Sequence, residues 1–234
     1  MADMEDQFAS TSRRGFERYT LNRFPLTGSA GRAFTPRQIA RCAKQKSQFD
    51  PAKPFCEGID GAQSGDAFAL IDVQLNDGFY DFRERVFDDP PEDTGLYDLV
   101  MIEELIAETY AKGRPLIAID PSRLLLMAQH LEQNYGVPLV GVKQSNAAMC
   151  PATALVVNAV QSGKARLGGC PKLIAHLGNA VLIESAFGER FGSEGTGASK
   201  KRIDAAIAAA IGMYALETQD NAPSVYETRG VLTF

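Results

Sequence analysis

Three aspartates occupy positions from which acidic side chains can act together. Asp60 ends the short segment Phe55–Asp60, Asp120 ends the apolar run Leu116-Ile-Ala-Ile119, and Asp204 lies in the first turn of an alanine-rich segment beginning at Arg202. Carboxylates at strand ends project from the carboxyl edge of a sheet, where open α/β sheets place their sites. Three that converge can hold two divalent ions about 3.5–4 Å apart, which clamp a phosphodiester and activate water for in-line attack. Hard oxygen ligands of this kind suit Mg²⁺ or Mn²⁺ rather than zinc. Without cations the cluster repels itself, so metal occupancy and nucleic-acid binding are expected to be coupled. The chain has 29 acidic residues, so three at element ends are weak evidence alone. The elements around them must supply the rest.

Those elements are readable from periodicity. Strands are predicted over Phe55–Asp60, Asp66–Gln74 and Phe79–Phe87, the last two joined by the turn signal Asn76-Asp77-Gly78. Leu99, Ile102, Ile106 and Tyr110 recur at helical spacing, and Gly113 with Pro115 stops that helix before the buried strand Leu116–Ile119. Pro121 suits the first turn of a helix running to about Tyr135, followed by a strand over Val137–Val142. Helices are then predicted over Ala147–Gly163 and Pro171–Leu177, and a strand over Asn179–Glu184. Gly188–Ser199, with its glycines, reads as a mobile loop. Arg202–Glu217 is the last helix, and Asn221–Phe234 is an irregular tail. Three antiparallel strands followed by alternating helices and strands imply an α/β fold, a mixed sheet with helices on both faces. That order fits the ribonuclease H-like architecture. Before it, residues 1–54 read as an N-terminal tail and linker with one short helix over Pro36–Lys46, begun by Thr35 at N-cap; the domain itself spans 55–234.

Composition narrows the classes further. The 234 residues are 45% hydrophobic and 23% charged, which excludes a disordered or collagen-like chain. No apolar run reaches the ~18–20 residues of a membrane span, and the polar start lacks a signal-peptide pattern, so a soluble, unsecreted protein is expected. Four scattered cysteines with no Cys-x-x-Cys pair argue against a zinc site or a disulfide framework. The net charge of −5 is unevenly spread. Residues 1–56 carry ten Lys/Arg against five Asp/Glu, residues 57–113 three against fifteen, and residues 114–234 eleven against nine. The acidic stretch Asp88-Asp-Pro-Pro-Glu-Asp93 reads as a solvated loop. Bulk charge rules out tight nonspecific DNA binding, and affinity should improve with divalent metal and fall with salt.

Several short motifs then appear in a characteristic order. Phe16-Glu-Arg-Tyr-Thr-Leu-Asn-Arg-Phe24 resembles the Leu-Asn segment that leads into the nuclease domain of bacteriophage terminase large subunits. Glu57-Gly-Ile-Asp60, followed by Ser64-Gly-Asp66-Ala-Phe-Ala-Leu70, is similar to that family's first nuclease strand and turn, although Gly61-Ala62 stands where a hydroxyl residue is commoner. Ile119-Asp120-Pro121 resembles the second acidic motif, and Lys201-Arg-Ile-Asp204-Ala-Ala the third. Val142-Lys-Gln144 resembles the following strand end, Ser162-Gly-Lys-Ala-Arg-Leu167 with Asn179-Ala-Val181 the connecting segment, and Val225-Tyr-Glu-Thr-Arg-Gly-Val231 the usual end of such chains. The resemblance implies a Mg²⁺- or Mn²⁺-dependent endonuclease that uses two ions to cut concatemeric double-stranded viral DNA during packaging. It makes Asp60, Asp120 and Asp204 the catalytic, metal-binding carboxylates. Asp66 is an auxiliary candidate whose other reading is a turn cap. It also implies a separate ATPase motor, a small terminase and a portal protein as partners, in the host bacterial cytoplasm and with no membrane. The motor's Gly-x-x-x-x-Gly-Lys-Ser/Thr loop does not occur in the sequence, so the ATPase is expected elsewhere, on a separate chain or the missing part of a longer one.

Lys200, Lys201 and Arg202 precede Asp204 and are DNA-contact candidates, a solvated basic cluster being the other reading. Arg13 and Arg14 read as solvated, and Tyr80 and Phe82 as packing residues. His130 and His176 accompany no nucleophile motif, which argues against a hydrolytic triad. Two alternatives stand beside the terminase reading. One is a ribonuclease H-like junction resolvase or recombination nuclease; the other is a non-catalytic domain that docks a packaging motor.

Overall fold

Three consecutive strand segments, the first two buried on both faces over most of their length, build the centre of the fold. The computed structural model describes residues 31–64, 66–195 and 200–218, so Arg13, Arg14, Phe16–Phe24 and Val225–Val231 lie outside the described residues. Strands β1 (Cys56–Asp60), β2 (Phe68–Asn76) and β3 (Phe79–Phe87) pair antiparallel in succession. Asp77 and Gly78 both adopt positive φ (50° and 75°), the backbone a two-residue hairpin needs to match strand twist. The short strand β4 (Leu116–Ile119) joins parallel to β1, and β5 (Leu139–Gly141) parallel to β4. A two-residue strand absent from the sequence-based expectation, β6 (Ala165–Arg166), adds parallel to β3, giving the order β5-β4-β1-β2-β3-β6.

Helices cover both faces, as a sheet buried on two sides requires. On one face α2 (Leu99–Gly113) and α3 (Leu125–Tyr135) pack with Ile59, Leu70, Ile117 and Ile119. On the other, α4 (Asn146–Ser162), α5 (Pro171–Asn179) and α6 (Asp204–Thr218) cover Cys56, Ile71, Val73 and Ala118. Helix α6 is buried nearly all round, from Asp204 to Ala215, so its small apolar residues let it lie directly against β1 and β2. Among the described residues no helix is long and apolar enough to cross a membrane.

Two expectations are corrected. The helix after Asp120 starts at Leu125, not Pro121, because the Asp120 carbonyl accepts from the N–H groups of Arg123 and Leu124 and holds residues 121–124 in a turn. Most of the predicted loop Gly188–Ser199 is ordered: β8 (Gly188–Ser193) forms a hairpin with β7 (Ala180–Ser185), and Phe191 is buried against Phe34. Residues 196–199 lie outside the described residues.

The segment before residue 55 packs on the same core. Helix α1 (Pro36–Ala43) opens with a capping box between Thr35 and Gln38. Ala33, Phe34 and Cys42 enter the core, and Arg41 donates to the carbonyls of Val160 (3.0 Å) and Gln161 (2.6 Å).

Candidate active site

Strand register sets the first two aspartates side by side. Ile59 pairs with Ile119, so the following residues, Asp60 and Asp120, leave adjacent parallel strands about one strand spacing (~4.8 Å) apart. Alternation fixes their face: Cys56 and Ala118 point toward α6, and Asp60 and Asp120 share their parity. The third aspartate is brought by close contact between helix and strand. A Cβ at Gly58 would strike the Ala208 carbonyl and the Gly212 nitrogen, so only glycine permits this approach. From that contact, one helical turn back along α6 (~6 Å) and two residues forward along β1 (~6.6 Å) bring Asp204 level with Asp60.

All three carboxylates are buried: Asp60 is 3% exposed, Asp120 2% and Asp204 7%. Burial pushes the Asp60 carboxyl up to about 7, and the charges of Asp204 and Asp120 add to this. Against it act the Arg123 guanidinium, 3.9 Å from Asp60 Oδ1, and Gln144, whose Nε2 donates to Oδ1 at 2.6 Å. Burial likewise raises Asp204; a hydrogen bond from its own backbone N–H opposes this, the Asp66 charge adds and the Lys200 charge opposes. Asp120 Oδ1 accepts from the Ser122 N–H (3.0 Å) and hydroxyl (2.7 Å), an Asx-type turn.

Asp60 and Asp120 each turn an oxygen to a partner within the chain, and no group of three or more His, Cys, Asp or Glu among the described residues is gathered to hold a metal ion. The donor set still suits a hard divalent cation. It offers carboxylate oxygens without thiolate, its mutual repulsion would be relieved by positive charge, and a half-exposed arginine already stands beside Asp60.

Asp66 lies at the rim of this group, half-buried, its Oδ1 3.2 Å from Lys200 Nζ. Each of the three basic candidates is paired with an acid: Lys200 with Asp66, Lys201 with Glu194 (2.8 Å) and Arg202 with Asp89 (2.7 Å). Three neighbours were not among the candidates from sequence. Gln144 and Arg123 sit just past β5 and β4 on the same carboxyl edge as the aspartates, and that shared edge is the signal that could have found them. His176 gave no local signal; its partner, the Ala205 N–H, is 29 residues away.

The strand order, and the carboxylates at the carboxyl edge where the parallel strands end, define a ribonuclease H-like nuclease fold. The family model "Terminase large subunit, endonuclease domain" matches residues 80–219, more than half of the chain, and the chain belongs to that family. The matched stretch contains Asp120 and Asp204 and begins after Asp60. Among solved structures, the chain is similar to the large terminase of bacteriophage HK97, with a TM-score of 0.68 and 20% identity over 92% of this chain and 50% of that one. It thus spans half the length of that terminase. It is also similar to the large terminase nuclease of thermophilic phage G20c, with a TM-score of 0.58 and 13% identity over 78% of this chain and 97% of that one. A magnesium-bound form of the G20c nuclease matches with a TM-score of 0.56 and 12% identity over 80% of this chain and 98% of that one. No curated protein matches in sequence.

Proposed function

We propose that this domain is a Mg²⁺- or Mn²⁺-dependent endonuclease that cuts concatemeric double-stranded viral DNA during packaging, with Asp60, Asp120 and Asp204 holding two ions. The observation that carries this reading is the burial of three aspartates, two from adjacent strand ends and one from the start of α6, at one sheet edge, where burial, with the charges of Asp204 and Asp120 adding to it, raises Asp60 to about 7. The magnesium- and cobalt-bound forms of the G20c nuclease support divalent ions as its cofactors.

When bound, such ions clamp the scissile phosphodiester and make water a potent nucleophile at neutral pH. The chain's own residues do the rest. Gln144 and Ser122 hold one oxygen each of Asp60 and Asp120 and so restrict how those carboxylates turn. Arg123, about half exposed beside Asp60, is placed to meet a phosphate oxygen. Lys200, Lys201 and Arg202 contact the DNA backbone after exchanging their carboxylate partners for phosphates, and Asp66 assists at the rim. The partners implied are an ATPase motor, a small terminase and a portal protein, in the host cytoplasm.

The test is nicking of a supercoiled plasmid with Mn²⁺ or Mg²⁺. Wild type should relax and linearise it, and Asp60→Asn should fall to background. Equal cutting by the two proteins would overturn the assignment.

A further inference from the structure

The residue before helix α6 has no capping side chain. Ile203 precedes it, its carbonyl accepting from the N–H groups of Ala206 (2.8 Å) and Ile207 (3.0 Å). This is the N-cap position, where Ser, Thr, Asp or Asn normally accepts from the second or third helical N–H, and isoleucine has no acceptor to offer. The acceptor comes instead from α5: Ala205 N–H donates to His176 Nδ1 at 2.9 Å. An accepting Nδ1 is unprotonated, so the imidazole proton sits on Nε2. That nitrogen faces Asp88 Oδ1 at 3.4 Å, and Lys172 Nζ holds the other Asp88 oxygen at 2.9 Å. The start of α5 is held in the same manner, since Glu84 of β3 accepts from the N–H groups of Lys172 (3.1 Å) and Leu173 (2.6 Å). Side chains thus tie β3 to α5 and α5 to α6, one residue from Asp204.

We propose that His176 is a positioning residue for Asp204, and that Asp88 orients it by holding the Nε2 proton. The role rests on the nuclease reading above. The imidazole ring is buried, and its hydrogen bond to this helix start is made through the Ala205 amide, the residue after Asp204.

The chemistry of the two amide side chains gives the test. Asn places an oxygen where His has Nδ1, whereas Gln places its polar group near the Nε2 position. Mn²⁺ binding to the full chain is measured by calorimetry for wild type, His176→Asn, His176→Gln and Asp204→Asn, with thermal unfolding of each. His176→Asn should bind Mn²⁺ close to wild type, and His176→Gln about 10–100-fold more weakly, the range for residues that orient metal ligands. Equal affinities for the Asn and Gln variants would overturn the positioning role. Unchanged affinity in Asp204→Asn would instead overturn the reading of the site. Should His176 variants fail to fold, imidazole ¹⁵N spectra of wild type decide: an Nε2–H tautomer supports the role, and an Nδ1–H tautomer refutes it.

Discussion

Replacing Asp60 by Asn should stabilise the metal-free protein, and the gain should grow with pH. Asp60 is raised from an ordinary 3.8 to about 7, chiefly by burial and then by the Asp204 charge. The folded state therefore holds a proton that the unfolded state has already released. The stability associated with that proton is fully present below pH 3.8 and is lost as pH rises to about 7. At about 1.4 kcal/mol per unit, the loss amounts to roughly 4 kcal/mol above pH 7. Asn is isosteric, uncharged and still able to accept from Gln144, so it removes this loss without removing the hydrogen bond. In urea unfolding with EDTA, wild type and Asp60→Asn should be close near pH 4 and diverge by about 4 kcal/mol at pH 8, a large fraction of a typical domain's stability. Mn²⁺ should narrow the gap by stabilising wild type selectively, by about 2.7 kcal/mol at a hundredfold excess over Kd. Parallel stability profiles from pH 4 to 8 without metal would refute the reasoning, for they would mean that Asp60 ionises like a solvated carboxylate.

Three further outcomes are expected. Gly58→Ala drives a methyl into the α6 backbone at Ala208 and Gly212, so urea unfolding should show a loss of about 1–3 kcal/mol or more, together with weaker Mn²⁺ binding as Asp204 shifts from Asp60. Asp98→Ala removes the cap whose Oδ1 accepts from the Val100 and Met101 N–H groups (3.0 and 3.1 Å); it should cost about 1 kcal/mol, a Tm fall of about 2–4 °C, with plasmid nicking unchanged. Neutralising Lys200, Lys201 and Arg202 together should flatten the salt dependence of DNA affinity by about 0.9 for each phosphate they neutralise in the wild type, and an unaltered slope would remove them from the DNA interface.

Local chemistry was legible in the sequence where one segment determines its own shape. The strand expected over Asp66–Gln74 forms over Phe68–Asn76, that over Phe79–Phe87 forms as expected, and so do the Asn76-Asp77-Gly78 turn and the Thr35 cap, although the two strands do not alternate in burial. Asp60 and Asp120 were visible because a carboxylate that ends an apolar strand is a local pattern. What was not legible depends on partners far along the chain. The mixed segment Gly188–Ser193 has no alternation of its own and becomes a strand through pairing with β7, and two-residue β6 is too short to carry a period. Gln144 reaches Asp60 across 84 residues, which spacing does not encode.

The acidic quarter of the chain illustrates the same limit and explains the net charge. Much of it is structural. Glu57 and Asp72 pair with Arg85 and Arg83, Asp81 with Arg166, and Glu84 and Asp98 hold helix starts. Asp88 and Asp89 begin an exposed loop, as the sequence suggests, and also pair with Lys172, His176 and Arg202 near Asp204. Asp60 differs from these in its surroundings, because its charged neighbours include two more aspartates. The charge that bears on function is therefore the local concentration of carboxylates at one sheet edge, not the total of −5. A cation arriving there relieves repulsion that the folded chain maintains through the close contact of Gly58 with α6 and the register of β1 with β4.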